Sequence, residues 1–149
     1  MATVGIDSQL CFALYSASRA MTAAYRPILA ELDLTYPQYL VMLVLWEERD
    51  GVTVRRLGER LHLDSGTLSP LVKRLEVNGL VRRVRSRDDE RVVEVTLTAA
   101  GRRLEEKAQC IPGRLGAATG ITEKQAADLR DAVRQLTDAL DASTERELT

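Results

Sequence analysis

The sequence predicts a mainly α-helical fold carrying one small β-hairpin, and three observations point to it. Apolar residues recur at helical spacing over most of the chain. Two short helical patterns in succession lead into a pair of valine-rich stretches. That segment alone is basic: ten Lys and Arg against six acids lie between Thr53 and Arg91, a net +4, in a chain whose total is −1. A basic centre between acidic flanks marks one anion-facing surface and leaves other surfaces for different work. The 149 residues, 45% hydrophobic and 29% charged, suit one globular domain large enough to bury a core.

The first helix is expected from Ser8 to about Arg26. Leu10, Leu14, Ala17, Met21 and Ala24 follow helical spacing, with Cys11, Tyr15, Ser18, Thr22 and Tyr25 on the adjoining stripe. A helix apolar on almost every face should be buried. Thr35-Tyr36-Pro37-Gln38 then reads as a helix start, because Thr35 can cap while Gln38 reaches back and Leu34 staples onto Tyr39. This second helix runs through Trp46 and stops before Asp50-Gly51. Thr53 opens a short helix with Val54, Leu57 and Leu61 inward and its arginines outward. After a break at Leu63-Asp64-Ser65-Gly66 the next helix puts Leu68, Leu71, Val72 and Leu75 on one face and ends at Asn78-Gly79. Its start is open between a cap at Asp64 or Ser65 and one at Thr67, which would suit Pro70 in a first turn. Leu80–Arg85 and Val92–Thr96 flank the polar run 86–91 and form the hairpin. Thr98 caps a further helix toward Cys110, which Ile111-Pro112-Gly113 should bend or interrupt. Thr122 to Gln125 is a second capping box, opening a helix with Leu129, Val133, Leu136 and Leu140 along one face.

Two short helices followed by a hairpin, in the basic segment, give the order of a winged helix-turn-helix, a DNA-reading unit. Ser65, Gly66, Thr67 and Ser69 supply the small polar side chains and free backbone N–H groups that a helix start needs in a major groove. Lys73 and Arg74 would face phosphates. Arg87 or Arg91 at the hairpin tip would enter a narrow minor groove. A charge run at a turn is by itself ordinary solvated surface; the coincidence of helix pair, basic skew and hairpin makes the case. The first and last helices offer more apolar surface than one small head can cover. A two-fold homodimer would bury it and set two reading helices one DNA turn apart on a pseudo-palindrome of double-stranded operator DNA. The chain therefore reads as a single domain over 1–149, with 35–97 as the winged-helix region and 1–34 and 98–149 as dimerisation helices.

Other chemistries find little support. Cys11 and Cys110 form no disulfide framework, and one histidine nearly excludes zinc. Nucleophile elbows, phosphate-cradling glycine loops and metal-ligand clusters are missing, so neither an enzyme nor a cofactor is expected. There is no secretory signal and nothing near the roughly 18 apolar residues of a membrane span, which points to a cytoplasmic protein. Capped by Asp7 or Ser8, the first helix would hold Cys11 in or beside its first turn, where the dipole favours a thiolate. Periodicity alone would make Cys11 a small core residue. Four tyrosines to one phenylalanine, all between Tyr15 and Tyr39, add phenolic donors that could serve a sulfur.

Leu10-Cys11-Phe12-Ala13-Leu14-Tyr15, Leu34-Thr35-Tyr36-Pro37-Gln38-Tyr39-Leu40, Leu63-Asp64-Ser65-Gly66-Thr67-Leu68 and Asp88-Asp89-Glu90-Arg91 together resemble the organic-hydroperoxide-sensing repressors (OhrR) of the bacterial MarR family, in order over nearly the whole chain. The resemblance implies a homodimeric winged-helix repressor that occupies its operator when reduced and leaves it when an organic hydroperoxide oxidises it. It implies Cys11 as the sensing cysteine, Tyr25 and Tyr36 as phenols bonded to its sulfur, Ser65, Thr67 and Ser69 at the start of the recognition helix, Arg91 as the wing arginine and Asp89 as its orienting partner. Family members finish the switch with a low-molecular-weight thiol or with a resolving cysteine of the other subunit. Cys110 is the one candidate for that second role and stands earlier in the chain than the resolving cysteine of two-cysteine members. The reading leans to Cys110 as a spectator and leaves an intersubunit disulfide open. Two other readings compete: a MarR-type repressor released by a small aromatic or phenolic ligand in the dimer pocket, and a thiol peroxidase. A plain protein-interaction module would leave the basic skew unexplained.

Overall fold

A computed structural model describes residues 5–147, so the outermost residues of the two expected dimerisation segments, 1–4 and 148–149, lie outside the described residues. Seven helices and three strands follow in the order α1 (Leu10–Ala30), α2 (Tyr36–Glu47), β1 (Val52–Thr53), α3 (Val54–Leu61), α4 (Ser65–Val77), β2 (Val81–Arg85), β3 (Val93–Leu97), α5 (Ala99–Ala108), α6 (Ile111–Thr119) and α7 (Glu123–Glu147), with a single 3-10 turn at Ile6–Ser8 in front. The chain divides into two compact units that meet between Ile111 and Pro112.

In the first unit, cap chemistry fixes where helices begin. Gln38 N–H donates to Thr35 Oγ1 at 3.4 Å and Thr35 N–H donates to Gln38 Oε1 at 3.0 Å, the reciprocal box expected from the sequence. Leu34 and Tyr39, the expected staple, are both buried in the core. Thr53 and Thr98 accept from Arg56 N–H and Gly101 N–H, both at 3.1 Å, and open α3 and α5 as expected. Asp64 caps α4, its carboxylate accepting from Thr67 N–H at 2.8 Å. This settles the open start and carries Pro70 inside the helix. Gly79 closes α4 with φ +73°: its N–H donates to Glu76 O and Leu80 N–H reaches Leu75 O, the paired bonds of a Schellman end.

The core gathers Leu29, Met42, Leu45, Leu57, Leu68 and Leu75 under the sheet residues Val52, Val81 and Val95. The sheet is antiparallel, in the order β1-β3-β2, with Val52 opposite Val95 and Val81 opposite Leu97. The strand β1 escaped sequence reading because two residues show no alternation. Trp46 Nε1 donates to Gly101 O at 2.9 Å in the interior, fastening α2 to α5.

Three expectations about α1 need correction: its cap, its end and its burial. Neither Asp7 nor Ser8 caps it: Ser8 Oγ donates to Gly5 O at 2.8 Å inside the preceding turn, and the N-cap is Gln9. The helix also runs past Arg26 through Pro27, because Ile28 and Leu29 bury into the core and outweigh the preference of a pre-proline residue for extended backbone. Only these two residues of α1 are buried. Leu10 is 60% exposed, Tyr15 58%, and Phe12 and Met21 are exposed as well, so one chain leaves most of the apolar stripe open. The interruption expected at Ile111-Pro112-Gly113 is a break between α5 and α6, and Cys110 sits in the turn. In the second unit, the box of Thr122 and Gln125 opens α7, with N–H donations of 2.9 and 3.2 Å. Along α7, Val133 and Leu136 are half-buried while Leu129 and Leu140 are exposed.

Candidate functional site

The reading head is built on α3, α4 and the β2–β3 hairpin. His62 ends α3 in the left-handed region at φ +53°, and Leu63 N–H returns to Gly58 O at 3.0 Å, so the chain turns sharply between the two helices. A Cβ on Gly58 would lie 2.7 Å from Leu63 O, so the turn closes against a bare α-carbon. Ser65, Gly66, Thr67 and Ser69 are all exposed along the first turns of α4. Thr67 has a second duty: its hydroxyl donates to Asp64 Oδ2 at 3.2 Å. The N–H and hydroxyl of Thr67 hold the Asp64 carboxyl below the usual carboxylate range. Ser65 and Ser69 keep their hydroxyls free of partners among the described residues, as Lys73 and Arg74 do their charges.

At the hairpin tip, Asp89 acts on the backbone. Its Oδ1 accepts from Arg91 N–H at 3.0 Å and its carbonyl from Val92 N–H at 2.9 Å, while Ser86 N–H closes onto Val92 O at 2.8 Å. Asp89 was expected to orient Arg91; it shapes the turn that presents the arginine and makes no ion pair with the guanidinium. Arg87 and Arg91 are exposed and unpaired among the described residues. A groove of about 470 Å³ runs between the start of α3, the middle of α4 and the hairpin, with Arg55, Ser69, Arg83 and Arg91 on its walls. Arg55 was not singled out by sequence, although its place beside the Thr53 cap was visible. Behind the head, Arg60 pairs with Glu47 at 2.7 Å and with Glu48, tying α3 to the end of α2.

The second constellation lies at the junction of α1 and α2. The ring centroids of Tyr25 and Tyr36 are 4.8 Å apart, those of Tyr25 and Tyr39 5.9 Å, and Tyr39 meets Trp46 edge-on at 6.3 Å. Burial, then the neighbouring Tyr36 and Tyr39 phenols, pushes the Tyr25 hydroxyl up to about 12. Burial likewise raises Tyr36, and burial, Tyr36 and the nearby Cys110 thiol raise Tyr39. All three phenols therefore stay protonated, as O–H donors, at neutral pH. For Tyr25 the raised folded value means that the stability it lends is full below pH about 10 and is lost as pH climbs toward 12; Tyr36 and Tyr39 act in the same direction. We expect an alkaline unfolding step in that window, tracked by phenolate absorbance, that is weakened in Tyr25→Phe.

The structure brings Tyr25 and Tyr36 together and keeps Cys11 from both. Cys11 is exposed in the first turn of α1, and Tyr25 is fourteen residues along the same unbroken helix, about 21 Å away at 1.5 Å per residue. The sulfur–phenol bonds expected of the sensor cannot form within one chain. Tyr15, one turn from Cys11, accepts a hydrogen bond from Arg19 at 2.9 Å. Cys110 is exposed, its Sγ donating to Lys107 O at 3.4 Å. Tyr39, expected as the staple partner of Leu34, also joins Tyr25 as a third ring of the cluster, a placement its spacing does not announce.

Comparison with known proteins agrees with this fold. Residues 23–108 match the family model described as transcriptional regulator SarA/Rot. The chain is 53% identical over 137 residues to the HTH-type transcriptional regulator TtmR of Methylorubrum extorquens (strain PA1), covering 92% of this chain and 70% of that protein. It is 49% identical over 125 residues to the organic hydroperoxide resistance transcriptional regulator of Bacillus subtilis (strain 168), covering 84% and 82%. Among solved structures it resembles AbfR of Staphylococcus epidermidis at 35% identity and a TM-score of 0.75, covering 91% of this chain and 94% of that one. AbfR has also been solved reduced on DNA, overoxidized on DNA and in a disulfide form. With a winged helix-turn-helix as its head and relatives of this identity along most of its length, the chain belongs to the SarA/Rot family of transcriptional regulators, which are of the MarR type.

Proposed function

We propose that this protein is a homodimeric repressor that holds a pseudo-palindromic operator when Cys11 is reduced and releases it when an organic hydroperoxide oxidises Cys11. The observation that carries the reading is the separation of donors from sulfur along α1. Three protonated phenols gather at one end of the helix, Cys11 stands near the other, and an exposed apolar stripe joins them. Two copies of α1 packed antiparallel about a two-fold axis would cover that stripe. Each Cys11 would then lie beside the partner's tyrosine cluster. The similarity to a hydroperoxide resistance regulator and to a protein solved in several oxidation states supports the same reading.

The chemistry needs one thiolate. The Cys11 thiolate attacks the terminal peroxide oxygen, the O–O bond breaks, the alkoxide leaves and takes up the proton that the thiol gave to solvent on ionising, and the sulfur, oxidised by two electrons, becomes a sulfenic acid. The sulfenic acid is already the switched state, and a low-molecular-weight thiol that later condenses with it, releasing water, prolongs that state. Cys110 is not required. The bulkier sulfur can no longer accept the phenol hydrogen bonds, so Tyr25 and Tyr36 repack at the start of α2 and the two heads shift relative to each other. Specific affinity depends on both heads matching their half-sites, so a small rotation is costly. On DNA, Ser65, Thr67 and Ser69 read base edges, Lys73 and Arg74 meet phosphates, and Arg91 enters the minor groove on a turn shaped by Asp89, with Arg87 beside it at the tip.

Trp46 is the one tryptophan of the chain and packs edge-on against Tyr39, so it reports on the cluster. One equivalent of cumene hydroperoxide per subunit should shift Trp46 emission and dissociate the operator over the same range. Unchanged emission and retained operator would overturn the reading in favour of release by a bound ligand.

A further inference from the structure

On the β2 edge of the small sheet, one backbone N–H is held by a side chain of α4. In the order β1-β3-β2 the strand β2 has a neighbour on one side only, so its outward N–H groups need partners elsewhere. Glu76, in the last turn of α4, meets that need at Arg83. Its Oε1 accepts from Arg83 N–H at 3.0 Å, while Oε2 accepts from Arg83 Nε at 2.8 Å and lies 2.8 Å from Arg83 Nη2. One carboxylate thus grips both the backbone and the guanidinium of the same wing residue. Donation by Arg83 holds the Glu76 carboxyl below the usual range, so it is ionised wherever the protein is folded at neutral pH. The strand it grips leads through Arg85 into the tip that carries Arg87 and Arg91. Among the described residues no other ion pair joins α4 to the wing.

We infer that Glu76 is a positioning residue for DNA binding: by clamping Arg83 it fixes the wing against the recognition helix, so that the groove contacts of α4 and of the wing tip are made together. The inference rests on the DNA-binding reading above. It carries a sign that plain electrostatics contradicts. Removing an acid near a polyanion should tighten binding of any sequence. Loosening a clamp should weaken the operator complex while leaving non-specific binding untouched, since loose phosphate contacts do not require the wing and helix in register.

The test uses the full-length protein with operator and with unrelated DNA of equal length, comparing wild type with Glu76→Gln and Arg83→Gln across a salt series. Glu76→Gln is expected to lose about tenfold or more in operator affinity, about 1.4 kcal/mol. Its salt slope should stay unchanged, and its affinity for unrelated DNA should be equal or tighter. Arg83→Gln should weaken the operator complex with the slope again unchanged, because its guanidinium is committed to Glu76. Amide exchange of Arg83 in the free protein should be slow in wild type and fast in Glu76→Gln. Equal or tighter operator binding by Glu76→Gln overturns the inference. Failure of wild type to bind any operator would sink the function reading instead, and the Arg83 exchange rates would still decide whether the clamp exists.

Discussion

Cys11→Ser is expected to yield a repressor that stays on its operator in hydroperoxide, under conditions where wild type loses about a hundredfold in affinity or more, about 2.7 kcal/mol. Serine accepts hydrogen bonds as the thiol does and differs little in volume, so the reduced conformation is preserved. Its hydroxyl cannot attack a peroxide at neutral pH, so the trigger is lost. Gel-shift titration with and without one equivalent of peroxide measures both. Because Cys11 and Tyr25 stand about 21 Å apart on one helix, the proposed function requires that the phenols serving a given sulfur come from the partner. A mixed dimer of one Cys11→Ser subunit and one Tyr25→Phe subunit keeps one intact pairing and should respond to peroxide. A dimer with both changes in one subunit keeps none, and its response should be impaired.

Gly101→Ala should be the most damaging single methyl in the first unit. A Cβ at this position would lie 2.1 Å from Leu80 O and 3.1 Å from its carbonyl carbon, both backbone atoms that cannot rotate aside. Leu80 O is the acceptor for Thr98 N–H at 3.0 Å, and Gly101 O is the acceptor for Trp46. Making room would strain the β3–α5 junction, the start of β2 and the α2–α5 fastening together. We expect a loss of about 3 kcal/mol or more, at the upper end of overpacking effects. For a chain of this length that is a fall in Tm of about 10 °C, measurable by thermal melting followed by circular dichroism.

Most of the fold was legible because helix starts are written in side-chain chemistry. Thr35, Thr53, Thr98 and Thr122 are short oxygen-bearing residues three places ahead of the N–H groups they satisfy, and a capping box can be read without a structure. The hairpin was legible because valines and a charged run alternate across a short span. Limits arose where tertiary burial overrides local preference, as at Pro27, where core packing of Ile28 and Leu29 extends α1, and at Pro70, which α4 accommodates beyond its Asp64 cap. The candidate sites were legible as residues and not as distances. Nothing in the spacing of Glu76 and Arg83 announces a clamp, since it depends on where the edge of the sheet falls. Periodicity placed Cys11 and Tyr25 on nearly the same face, and only the unbroken helix shows that a shared face separates them.

The most direct test of the central claim is a titration of the reduced, operator-bound protein with an organic hydroperoxide, following operator release and peroxide consumed together in wild type and Cys110→Ser. Sensing through Cys11 alone predicts that both proteins leave the DNA as the first equivalent per subunit is consumed and that consumption then stops. Release without consumption, consumption far beyond one equivalent, or retention of the operator after Cys11 is oxidised would contradict it.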